Sequence, residues 1–497
     1  MRWSLAALVF LLSAQDGGIE FKNYTLTMHG TRQDTITYDF NGDGRLDIVS
    51  TCIDQEADPP IRWAFFYLQK ADESFDTKPD RILPIPDKVV SLVFGDYEGD
   101  AAVEFGFLAS DGFYVYPTGA DQPTKLIHTA VFFTLPSTFV IPVWQYRQDL
   151  DANGLDDLIL PAEKGYKVYF QTEKGKFHRM QELPTQQDPP SRAVTVSSRA
   201  TQDRYRATAL RFEKLLPRLE IADINADGKK DLVSVTRDLL TIFFMTPEGT
   251  YDVKLKERRI VKTLTAKEEA GAVEVSGIQF VDLNGDKLPE LVITKIEGQL
   301  GMIDSLQTNI YIHRGNGTAA FTPDQSLYIP GLSFFPTFID MDGDGKIDLY
   351  ATFVSTGVIQ KLLEAKIMGD INVSTGFWRY TDKGFRDMDY VHELLVKTEV
   401  VEKRSGIPVI YVGGDFNGDK RPDMIVVLPN QQIGFHMGRE HFKGGATLIG
   451  FEANASQTIP ITDQPNFIQF LDLNKDGITD LQHLYGSRAV LSISKKR

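Results

Sequence analysis

A nine-residue pattern that opens on Asp, sets oxygen-bearing side chains at alternate positions and closes on an acid occurs eight times in this chain. The copies read DFNGDGRLD from Asp39, DYEGDAAVE from Asp96, DLDANGLDD from Asp149, DINADGKKD from Asp223, DLNGDKLPE from Asp282, DMDGDGKID from Asp340, DFNGDKRPD from Asp415 and DLNKDGITD from Asp472. Their starts lie 57, 53, 74, 59, 58, 75 and 57 residues apart. A recurrence with this period describes an array of similar units, each burying its neighbour, rather than a string of unrelated domains.

The flanks repeat too. A β-type run precedes each copy, as in Thr35 to Tyr38 or Phe467 to Leu471, and another follows it, as in Asp47 to Thr51 or Asp423 to Leu428. An aromatic-rich third run comes next (WAFFYL from Trp63, KVYFQT from Lys167, LTIFFM from Leu240), then a glycine-containing turn and a fourth run, such as Arg258 to Leu264 or Ala446 to Phe451. Four strands with their connections take roughly 40 to 60 residues. The expectation is an all-β, eight-bladed β-propeller of four-stranded antiparallel blades, with a seven-bladed ring as the alternative. Only 17 residues follow Asp480, too few to finish a blade. The segment from about 19 to 28 is therefore predicted to supply the missing strand and close a single domain over 15–497.

Oxygens at positions 1, 3 and 5 of a tight loop, a carbonyl at 7 and an acid at 9 suit a hard cation that takes six to eight oxygen ligands; this favours Ca2+ over Mg2+. The candidate ligands are Asp39, Asn41, Asp43, Arg45 and Asp47 in the first loop and Asp149, Asp151, Asn153 and Asp157 in the third. The fourth loop offers Asp223, Asn225, Asp227, Lys229 and Asp231, and the fifth Asp282, Asn284, Asp286 and Glu290. The sixth offers Asp340, Asp342, Asp344, Lys346 and Asp348; the seventh, Asp415, Asn417, Asp419 and Asp423; the eighth, Asp472, Asn474, Asp476, Ile478 and Asp480. Arg45, Lys229, Lys346 and Ile478 would act through their backbone carbonyls. Gly44, Gly154, Gly228, Gly345 and Gly477 allow a left-handed backbone at position 6, where copies five and seven carry Lys287 and Lys420. The second loop (Asp96, Glu98, Asp100, Glu104) has longer arms and Ala101 at position 6, and is the least suited.

An EF-hand would need helical flanks and an acid at position 12, and position 12 is acidic in none of the copies. With strands on both sides, the loops resemble those of the FG-GAP/VCBS repeat family, which includes the integrin α-subunit propeller. The resemblance covers about residues 19 to 497 and implies a propeller that binds several structural calcium ions, five to eight here. It leaves biological role open.

Composition agrees. The net charge of −15 opposes binding to nucleic acid or anionic lipid, and eight divalent cations would bring it to +1. A lone cysteine, Cys52, excludes an intramolecular disulfide framework and a thiolate zinc cage. Residues 1–14 have the positive start, short apolar run and small-residue end of a secretory signal peptide, which predicts an exported protein. No later stretch is apolar enough to form a transmembrane segment.

Two long intervals hold non-repeating sequence. Residues 186–217 form a basic loop with Arg192, Arg199, Arg204, Arg206, Arg211 and Lys214, and 356–368 have the spacing of a short amphipathic helix. Meander geometry puts both on the face opposite the acidic loops, the expected site for a protein or carbohydrate partner. HExxH, GxSxG and phosphate-loop motifs are absent. The reading favours a binding or adhesion scaffold; a polysaccharide lyase and a passive structural module are the alternatives.

Overall fold

The computed structural model describes residues 19–495 apart from 132–140, 186–190, 197–208, 215, 237–238, 255–258, 266–267, 269–272, 300–301, 319, 334–335, 355–369, 389, 398–409, 429–430 and 444–445. The leader over 1–14 and the helix over 356–368 lie outside the described residues.

Eight antiparallel sheets form a ring, an eight-bladed β-propeller. Blade 1 consists of Thr31–Tyr38, Asp47–Asp54, Ile61–Tyr67 and Arg81–Ile85, and blade 2 of Val89–Gly95, Glu104–Ala109, Gly112–Tyr116 and Thr124–His128. Blade 3 has Arg147–Gln148, Asp157–Ala162, Gly165–Phe170 and Arg179–Leu183; blade 4 has Arg218–Ala222, Asp231–Val235, Leu239–Phe243 and Arg259–Lys262. Blade 5 has Glu274–Val281, Glu290–Gln299, Met302–Gly315 and Phe321–Ile329. In blade 6 the first strand is split into Leu332–Ser333 and Thr337–Ile339, followed by Asp348–Val354, Asp370–Trp378 and Tyr390–Lys397. Blade 7 has Ile410–Gly414, Asp423–Leu428, Gln432–His436 and Gln457–Pro460. Blade 8 takes Phe467–Leu471, Asp480–Leu484 and Arg488–Ser494 from the end of the chain, and its fourth strand is Phe21–Thr27, paired from Phe21 opposite Ser494 to Thr27 opposite Arg488.

Burial follows position in the blade. Second strands are covered on both faces by neighbouring blades, so Glu104–Ala109, Asp231–Val235 and Asp480–Leu484 are buried at every residue. Fourth strands form the rim and alternate, as in Arg81–Ile85 and Gln457–Pro460. Apolar side chains fill the seams: Phe40, Val49 and Phe66 of blade 1 pack with Leu92, Phe94 and Phe105 of blade 2, and Leu26 and Leu491 of blade 8 with Ile48 and Phe65 of blade 1.

Among the described residues, two hairpins of six-residue strands interrupt the meander, besides the short pair Tyr380–Thr381 with Gly384–Phe385 in blade 6. The basic insertion takes the form of a pair, Ser191–Val196 with Ala209–Lys214, between blades 3 and 4; Arg199, Arg204 and Arg206 lie outside the described residues. The second hairpin, Gly438–Lys443 with Ala446–Phe451, was not expected, because its interval is an ordinary 57 residues. Ala446–Phe451 is thus part of an insertion and not the fourth strand of blade 7, which is Gln457–Pro460. Lying between third and fourth strands, this hairpin is on the acidic-loop face, whereas the one at 191–214 is on the opposite face.

Leu26 is fully buried in the closing strand. Leu26→Ala is expected to cost about 2–5 kcal/mol, measured by urea denaturation monitored by tryptophan fluorescence.

Candidate cation-binding loops

Every acidic loop joins the first and second strands of its blade, and all eight share one hydrogen-bond scheme. The first Asp turns back over its own loop and accepts from the amide at position 6, at 2.7–3.2 Å. The side chain at position 5 accepts from the amide at position 7, at 2.8–3.1 Å. The backbone is left-handed at position 6 throughout, at φ +82° for Gly44 and also at +74° for Ala101, +74° for Lys287 and +67° for Lys420. Position 4 is left-handed as well, from Gly42 (φ +74°) to Lys475 (φ +56°). Glycine stands at position 4 in five copies, including Gly285 and Gly418 two places before the lysines of copies five and seven.

The position-9 acid is buried in all eight loops. One of its oxygens accepts the amide of position 2, from Phe40 to Leu473, at 2.6–3.1 Å. Where the acid is Asp, its other oxygen accepts an amide at the end of the third strand or just past it: Gln69, Gln171, Met245, Tyr380, Gly438 or Ser494, at 2.7–2.9 Å. The longer glutamates turn elsewhere, Glu104 to the Thr118 hydroxyl and Glu290 to the Asn284 amide.

Burial pushes these carboxyls up, to about 6 for Asp47, Asp231, Asp348 and Asp480 and to about 7 for Glu104, Asp157 and Asp423; Glu290 is raised too. Carboxylates from the same loop add to the rise in each case, Asp39 and Asp43 acting on Asp47.

Three loops draw three carboxylates together with ligand oxygens within 4.8 Å of one another: Asp96, Asp100 and Glu104; Asp149, Asp151 and Asp157; and Asp340, Asp342 and Asp344. The second loop is among them, without Glu98. In loops 1, 4 and 7 the position-3 amide instead donates to the position-5 carboxylate, as Asn41 does to Asp43 at 2.9 Å, Asn225 to Asp227 at 3.1 Å and Asn417 to Asp419 at 3.2 Å.

Loops 3 and 6, with Asp at position 3, each recruit an arginine that the sequence pattern did not mark: Arg179 to Asp151 at 2.6 Å, and Arg379 to Asp342. Asp151 keeps its other oxygen, Oδ1, buried with no hydrogen-bond partner. An acceptor-only oxygen in that state, beside two more carboxylates, fits a hard cation.

The left-handed, non-glycine residues cost about 1–2 kcal/mol each. Ala101→Gly and Lys287→Gly are expected to stabilise the fold by about 0.5–1 kcal/mol, net of glycine's greater freedom when unfolded, in urea titrations. The raised acids give a second expectation. Folding raises their pKa, so their contribution is full below about pH 4 and is lost as pH rises through 6 to 7. In excess chelator, thermal unfolding is therefore expected at a higher temperature at pH 5.5 than at pH 8.

The sequence model of the FG-GAP-like repeat matches residues 11–105 and 282–351. No curated protein matches the chain. Among solved structures, an Agrocybe aegerita lectin that recognises non-reducing terminal N-acetylglucosamine is 14% identical at a TM-score of 0.42, covering 85% of this chain and 94% of its own. The WD40 domain of Toxoplasma gondii coronin is 8% identical (TM-score 0.38, 96% and 87% covered). A Bacillus licheniformis rhamnogalacturonan lyase is 11% identical (TM-score 0.33, 95% and 75% covered). None of these likenesses bears on what this chain binds. With eight loops of one pattern on eight four-stranded sheets and the repeat model matching over two stretches, the chain is an eight-bladed β-propeller that carries FG-GAP-like repeats.

Proposed function

We propose that this protein is an exported, calcium-stabilised propeller that serves as a binding scaffold for a protein or carbohydrate partner. The observation that carries the calcium reading is the third loop, where Asp149, Asp151 and Asp157 converge and Asp151 Oδ1 is buried without a partner. The same backbone scheme in the other seven loops extends the reading to them. Positions 1, 3, 5 and 9 would hold the ion by side chain and position 7 by its carbonyl. When bound, calcium neutralises carboxylates that otherwise repel one another. The chain's part is to hold those oxygens in place: the position-9 acid pins the start of the loop and, as Asp, the third strand as well.

Export is supported by the signal-peptide pattern of residues 1–14. The partner is assigned to the face opposite the calcium loops, where the basic hairpin at 191–214 departs from the repeat.

Calorimetry in calcium and in EGTA tests the metal reading. A free concentration one hundredfold above Kd stabilises by about 2.7 kcal/mol per filled loop, so the expected result is a lower melting temperature in EGTA, with several equivalents of calcium found by metal analysis. A melting temperature unaffected by EGTA would overturn it. For the partner, a glycan and protein binding screen should show calcium-dependent hits that weaken when 191–214 is replaced by a short Gly-Ser turn; hits that survive the replacement remove the assignment to that face.

A further inference from the structure

The seams between blades are not all alike. At the seam from blade 1 to blade 2, the amide of Val103, at position 8 of the second loop, donates to the carbonyl of Asp39 in the first, at 2.7 Å. The same bond recurs at every second seam: Lys230 to Leu150 at 3.1 Å, Ile347 to Leu283 at 3.1 Å, and Thr479 to Asp415 at 2.7 Å. These join loops 3 and 4, 5 and 6, and 7 and 8. Across the alternate seams, no position-8 amide among the described residues makes such a bond. In loops 5 and 7 it cannot, because position 8 is Pro289 or Pro422.

A second contact follows the same alternation at the rim. The Gln181 side chain of blade 3 brackets the backbone of Tyr251 in blade 4, its Nε2 donating to the Tyr251 carbonyl at 2.7 Å and its Oε1 accepting the Tyr251 amide at 2.8 Å. Gln325 of blade 5 does the same to Phe385 of blade 6, at 2.6 and 2.8 Å. Gln457 of blade 7 does so to Ile19, just before the closing strand of blade 8. In blade 1 the place is taken by Arg81, which reaches Ala120 and Asp121 of blade 2. Even-to-odd seams are held by other means, such as the Arg218 guanidinium on the Ile278 carbonyl and the Tyr350 hydroxyl on the Val412 carbonyl.

We propose that the loops fill with calcium as four coupled pairs, 1 with 2, 3 with 4, 5 with 6 and 7 with 8. This rests on the calcium reading above and adds to it how the sites communicate. Position 8 lies between two ligands of its own loop, the position-7 carbonyl and the position-9 carboxylate. An ion that fixes those two fixes the amide between them. That amide holds the carbonyl of position 1 or 2 in the mate, the residues that carry the mate's first ligand and receive its position-9 acid. Ordering one loop therefore orders the other, and the linkage is reciprocal.

The test uses the full chain and hydrogen exchange by mass spectrometry across a calcium titration, reading each loop separately. Asp340→Ala removes the first ligand of loop 6. The expected result is that the calcium needed for half-protection of loop 5 rises at least about fivefold while that of loop 7 is unchanged. Ile347→Pro, which copies the residue type of loops 5 and 7, should shift loop 5 in the same direction. Ile347→Ala keeps the amide and should not, which separates the bond from lost side-chain packing. Loops 5 and 7 moving together, or neither moving, would overturn the pairing while leaving calcium binding intact. Wild-type loops that exchange alike in calcium and in EGTA would overturn the calcium reading and the pairing with it.

Discussion

The structure depends on a buried carboxylate used eight times. Position 9 of each loop is the first residue of the second strand, the strand most deeply enclosed between blades. An acid there is costly to desolvate, and it is tolerated because backbone amides meet it: two for each of the six aspartates, one at the loop start and one at the end of the third strand or just past it. One side chain thereby fixes the geometry of three successive segments. The acidic loop is therefore a structural joint of the blade as well as a candidate ion site, and the two uses share the same atoms.

Much of this was legible in the sequence, for definable reasons. The blade count came from the period of the acidic motif, and the antiparallel four-stranded unit from β-type runs at regular spacing. The left-handed position 6 was marked by Gly44, Gly154, Gly228, Gly345 and Gly477, and it proved left-handed at Ala101, Lys287 and Lys420 too, because the hydrogen bond from its amide to the first Asp imposes the conformation on any residue.

Other features carried no periodic signal. The hairpin at Gly438–Phe451 hid inside an interval of ordinary length, since a short fourth strand and compact turns left room for it. Its strands alternate like any others, so Ala446–Phe451 passed for a blade strand. Arg179 and Arg379 could not be tied to Asp151 and Asp342 from spacing alone, because each approaches from beyond the third strand of its blade. The alternation of seams was visible only as prolines at position 8, and it acquires meaning once the neighbouring amides are seen to bond across.

The closing strand sets the order in which the molecule can be finished. Phe21–Thr27 precedes all eight acidic loops in the sequence, and its partner Arg488–Ser494 follows them all. Synthesis from the amino end produces that strand before any of the other blade strands, and it cannot be seated until Arg488–Ser494 has been made. Seven sheets can form from sequence-local hairpins as they appear, while the eighth waits for an encounter between strands separated by the length of the whole ring, the kind of distant contact that slows folding. Until then the first strand exposes an unpaired edge, open to a second unfinished copy, so completion of the ring competes with exchange of this strand between molecules.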